Sequence, residues 1–179
     1  MNRDGDLTLE EAKRALEGIL FVAGEPLGVT HLARTLGARE GTVNTALDAL
    51  AREYQGRGLR IQVLDGQVQM VTAPEISRQV EFFLGLEAAS QLSQAALETL
   101  AIVAYRQPVT RAEIEAIRGV NSDGVLNTLQ SKGLICEVGR RDSVGHPILY
   151  GVTFEFLQHF GLERLDNLPP LPPREHSEV

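Results

Sequence analysis

The chain has 179 residues, 43% hydrophobic and 23% charged, with a formal net charge of −7, a size that allows one sizeable core or two small ones. An acidic balance disfavours tight, non-specific binding to nucleic-acid phosphate, which needs clustered Lys and Arg. No apolar run approaches the roughly 18 residues of a membrane span, and Met1, Asn2, Arg3 and Asp4 do not read as a signal peptide, so a cytoplasmic protein is expected.

Thr8 and Glu11 form a capping box, and Leu9, Ala12, Leu16, Ile19, Leu20 and Ala23 recur at helical spacing, which predicts a helix over 9–23. Pro26 breaks it. A short helix after Thr30 carries Leu32 and Leu36 and stops at Gly37, as a C-terminal glycine allows. A third helix is expected over 40–55, with Val43, Leu47 and Leu50 turned inward.

Leu59, Ile61 and Val63 then alternate with polar residues up to Asp65-Gly66, and Val68 and Met70 alternate after it. Asp-Gly between alternating runs signals a two-residue hairpin, with Val63 opposite Val68 and Ile61 opposite Met70. Three helices and a hairpin are the order of a winged helix. Residues 74–92 read as a connector, helical over 76–86.

The pattern repeats on sliding the sequence by 82 positions: Pro26 meets Pro108, Leu27 Val109, Leu32 Ile114, Gly37 Gly119, Val43 Val125 and Leu47 Leu129. A repeat at core and helix-stop positions indicates duplicated architecture. In the second copy Ser93 caps a helix, Thr110 and Glu113 form another capping box, and residues 121–132 make the third helix. Strands 134–138 and 148–152 flank a longer wing. Phe154, Phe156, Leu157 and Phe160 follow on a short helix ended by Gly161, and Pro169, Pro170, Pro172 and Pro173 predict a disordered tail. The expected fold is mainly α with small β-hairpins (α+β), as two tandem winged-helix domains. Its parts are 1–73, the connector 74–92, 93–168 and the Pro-rich tail 169–179.

Little in the sequence points to catalysis. His31, His146, His159 and His176 are scattered without ligand spacing, and no phosphate-binding glycine motif is present, so neither a metal nor a cofactor is expected. The lone Cys136 lies in an apolar run and reads as a buried, inert thiol. The third helices carry Arg39 and Arg52 against Glu40, Asp48 and Glu53 in the first copy, and only Asp123 and Lys132 in the second. Neither has the basic face that major-groove readout requires. Arg106, Arg111, Arg118, Arg140 and Arg141 of the second copy suit either phosphate or an acidic or helical partner. The alternative is local pairing with Glu113, Glu115, Glu137 and Asp142.

The run LSQAALETLAIVAYRQPVTRAEIEAIRGVNSDGVLNTLQSKGLI, the wing GRRDSVGHPILYGVT and the closing FLQHFGLERLDNLP resemble the segregation and condensation protein B family. LEGILFVAGEPL and GLRIQVLDGQVQMVT resemble it more loosely in the first domain. The resemblance implies a non-catalytic accessory subunit of bacterial condensin. Such a subunit forms a homodimer through the first domain, binds the kleisin subunit and through it the SMC ATPase, and meets DNA mainly within the assembled complex. The partner surface is placed at Tyr105, Arg106, Arg118, Arg140, Arg141 and Tyr150, because the arginines gather on helix ends and a wing rather than along the third helix and Arg and aromatic residues are enriched at interface hot spots. The alternative is core burial of the two tyrosines with solvated arginines. A winged-helix transcription regulator reading DNA directly is the other functional expectation.

Overall fold

The computed structural model describes residues 7–85 and 91–171; the expected helix end at Leu86 and the tail beyond Leu171 lie outside them. Thr8 starts the first helix, α1 (Leu9–Val22): its hydroxyl accepts from the Glu11 N–H while the Glu11 carboxylate accepts from the Thr8 N–H at 2.9 Å. After α1 come β1 (Leu27–Gly28), α2 (Val29–Leu36), α3 (Glu40–Glu53), β2 (Leu59–Leu64) and β3 (Gln67–Thr72). The hairpin has the expected register, Val63↔Val68 and Ile61↔Met70. Its turn is made by Asp65 and Gly66 at φ 49° and 73°, the positive pair that matches the twist of a two-residue hairpin.

A 3-10 turn (Pro74–Ile76) and α4 (Ser77–Leu84) lead out of the first unit. The second repeats it as α5 (Gln94–Arg106), β4 (Val109–Thr110), α6 (Arg111–Arg118), α7 (Asp123–Ser131), β5 (Ile135–Arg140) and β6 (Ile148–Val152), with α8 (Phe154–Phe160) and a 3-10 turn (Leu165–Asn167) appended. The duplication seen in sequence holds at backbone level. Gly37 and Gly119 both end their helices in the left-handed conformation, at φ 61° and 72°, where a side chain would be strained. The sheets are ordered β1-β3-β2 and β4-β6-β5. β1 and β4 escaped the sequence reading because two-residue strands are too short to show an alternation.

Each unit has its own core. Leu16, Leu32, Leu47, Ile61 and Val68 centre the first, and Leu100, Ile114, Leu126, Leu129 and Leu157 the second. Burial of each such side chain contributes roughly 1.5–3 kcal/mol. One expectation needs correction. Cys136 is exposed, not buried, because the apolar run around it is a strand in which Ile135 faces the core and the next residue faces out. Partial desolvation of its sulfur, with Asp65 and Glu155 nearby, pushes the thiol pKa up. β2 alternates as read and is covered on both faces: Arg60 and Gln62 are 6% and 2% exposed, and Leu64 packs into the second unit's core.

Candidate partner-binding surface

The arginines and tyrosines of the second unit occupy three distinct settings. Tyr105 and Arg106 lie in the last turn of α5, where Arg106 suits the negative end of the helix dipole. Tyr105 is half-buried and donates its hydroxyl to the Pro169 carbonyl at 2.5 Å, so the start of the tail lies against α5. With Ile102, Ile117 and Leu171 the pair lines a depression of about 220 Å³. On its other flank Tyr105 borders an apolar groove of about 480 Å³ between α5 and the segment after α8, walled by Leu100, Ala101, Ala104, Phe156, Leu162 and Leu168. Leu97 and Phe160, 39% and 44% exposed, stand at this groove. Helical spacing puts both on helices but does not say what they face. Only the position of the segment after α8 reveals that they border an open groove.

Arg118 is turned inward. Its side chain is 9% exposed, with Nη1 donating to Ser122 Oγ at 3.0 Å and Nη2 lying 3.7 Å from the Glu98 carboxylate. It ties α6 to α5 and to the start of α7, and its buried Nε has no hydrogen-bond partner among the described residues.

The wing holds the other three. Arg141 forks onto Glu113, Nη1 at 2.7 Å and Nη2 at 3.0 Å, a bidentate pairing that favours the ionised carboxylate. That pair and the bonds Glu113 accepts from Thr110 hold the Glu113 pKa down to about 2. Arg140 is exposed and donates Nη1 to the His146 carbonyl at 3.1 Å. Tyr150 is 8% exposed within the second core, and burial is the main cause that pushes its hydroxyl pKa up. Arg111, Arg140, His146, Ile148 and Tyr150 border a cleft of about 350 Å³. Arg111 is engaged there by Asp123 and Glu115. His146 has φ 39°, a conformation few non-glycine residues adopt.

The geometry thus gathers Tyr105 with Arg106 at one place and Arg140 with Tyr150 at another, while Arg118 and Arg141 are engaged within the domain. Among the described residues no cluster of His, Cys, Asp and Glu has metal-binding geometry, and no helix is long and apolar enough to cross a membrane. The third helices keep the character read from sequence. On α3, Asp48 pairs with Arg164 while Arg52 bonds its own helix backbone; on α7, Asp123 is taken by Arg111.

Comparison with known proteins gives a consistent result. Residues 14–171 match the family model described as segregation and condensation complex subunit ScpB. Segregation and condensation protein B of Moorella thermoacetica is 52% identical over 164 residues, covering 90% of this chain and 84% of that one. The crystal structure of ScpB from Mycobacterium tuberculosis is 39% identical with a TM-score of 0.43, covering 88% of this chain and 99% of that one. A dimer of an ScpB N-terminal domain complexed with ScpA peptide aligns at 24% identity and a TM-score of 0.40, covering 42% of this chain and 96% of that one.

Proposed function

The chain belongs to the ScpB family of segregation and condensation complex subunits, and from that membership we propose that it is a non-catalytic accessory subunit of the bacterial SMC–kleisin condensin. The observation that carries this reading is the length of the family match, which runs through both winged-helix units rather than one. The subunit acts in the cytoplasm, at the nucleoid, by binding the kleisin (ScpA-type) and through it the SMC ATPase in chromosome condensation and segregation. Its working parts are 1–73 for dimerisation, the connector 74–92, 93–168 for the partner, and the tail 169–179.

The surface for the kleisin segment is centred on α5. The groove beside Tyr105 offers apolar walls to one face of an amphipathic helix, with Arg106 at its edge, the combination of aromatic and arginine residues enriched at interface hot spots. Arg140 and Tyr150 border a separate cleft at the wing, a second place for a partner segment, whereas Arg118 and Arg141 hold the scaffold. Phe21 and Val22, 76% and 78% exposed at the end of α1, supply apolar surface for self-association of the first domain. Co-expression with the kleisin is the test: the two chains should purify together through size exclusion at moderate salt. Separate elution, combined with duplex-DNA binding of steep salt dependence by the chain alone, would establish the DNA-reading regulator instead.

A further inference from the structure

In the first sheet β2 is an edge strand, and such an edge leaves a row of backbone groups without partners. Val63 pairs across from Val68, and its N–H is directed away from β3. That N–H donates instead to the Glu163 carbonyl at 2.9 Å, so residue 163, which follows α8 of the second domain, closes the edge of the first domain's sheet.

Side chains reinforce the backbone bond. Gln62 donates its amide to the Leu162 carbonyl at 2.7 Å while its oxygen accepts from Gln69 at 3.0 Å, so a polar group that is 2% exposed is satisfied on both sides. Gln55 donates to the Glu163 carboxylate at 2.6 Å. Arg60 Nε lies 3.4 Å from the same carboxylate, and its Nη2 lies 2.7 Å from Glu75. Arg164 reaches Asp48 on α3, and a Cβ at Gly161 would stand only 3.2 Å from Pro74.

A buried amide or guanidinium stripped of these partners would cost more than the contact itself contributes, so the arrangement is held by the penalty for opening it. We infer that residues 161–167 form a strap that seals the edge of the first sheet and fixes the two winged-helix domains in one mutual orientation. The chain then presents both domains as one rigid piece, and a partner touching both has no alignment entropy to overcome. The inference does not depend on which partner binds.

Amide hydrogen exchange resolved by NMR on the full chain tests it, with Gln62, whose residue pairs with Gln69 in the β2–β3 ladder, as the internal reference. The strap predicts that the Val63 amide exchanges as slowly as that of residue 62. Replacing Gln62→Ala together with Glu163→Ala should speed Val63 exchange by about tenfold to a hundredfold, since the side-chain bonds of Gln62 to Leu162 and Gln69 and of Glu163 to Gln55 and Arg60 are lost, while the amide of residue 62 stays protected. Fast Val63 exchange in the unaltered protein overturns the inference, as does unchanged Val63 protection in the double variant. Glu163→Ala alone, which leaves both cores intact, is read the same way if the double variant melts.

Discussion

Arg118 and Arg140 carry the same charge within one domain, yet their surroundings give them opposite work. Arg118 is almost fully buried between Ser122 and the half-exposed Glu98, so Arg118→Ala should destabilise the fold by about 1–3 kcal/mol, the cost of removing a buried side chain and leaving buried Ser122 without that donor. Arg140 is exposed and bonds one wing carbonyl, so Arg140→Ala should shift stability by less than about 0.5 kcal/mol. Thermal melts of the two variants check both. Glu113 adds a pH-dependent test. Its pKa falls from the ordinary 4.5 to about 2 in the folded state, so its contribution is complete above the unfolded value and lost as pH drops between about 4.5 and about 2. The melting-temperature gap between the protein and Glu113→Gln should be widest near neutrality and close toward pH 2. Sequence marked these arginines as a cluster, but a residue's type does not say which carboxylate it will meet; Arg141 with Glu113 and Arg118 with Glu98 are contacts between elements that only packing decides.

Elements were more legible than contacts. Both capping boxes, the Asp65-Gly66 hairpin and the helix stops at Gly37, Gly119 and Gly161 are local devices, in which a few neighbouring residues satisfy each other, and all appear as read. β1 and β4 were missed because their pairing partners lie far along the chain. The alternation in β2 gave its register, but not what covers its polar residues: Arg60 is held by Tyr54, Arg57, Glu75 and Glu163, and Gln62 by Leu162 and Gln69. Backbone conformation can be tested by one substitution at two glycines. Gly66→Ala places a side chain at φ 73° and should cost about 1–2 kcal/mol, whereas Gly124→Ala, inside α7 with open space around its Cβ, should stabilise by about 0.4–1 kcal/mol. Chemical denaturation of both should give opposite signs.

At the scale of the whole molecule, the chain combines a net charge of −7, third helices without a basic face, on which Asp48, Glu53 and Asp123 are ion-paired, and an apolar groove bordered by Tyr105. These suit a protein that organises partners more than one that grips DNA. The full chain at micromolar concentration should sediment as a dimer, and a monomeric mass would remove the self-association assigned to the first domain. The organisation into two repeated units was legible from the 82-residue repeat, because duplicated core positions leave a periodic trace. The groove was not, because it is formed where the segment after α8 approaches α5, and no local pattern encodes that approach. Calorimetric titration of the kleisin's central segment into the full chain tests the central claim most directly. Saturable binding that weakens by at least about 2 kcal/mol in Tyr105→Ala with Arg106→Ala, as hot-spot truncation does, with the melting temperature preserved, is the predicted result. No heat of binding to the folded, unaltered protein would contradict the account.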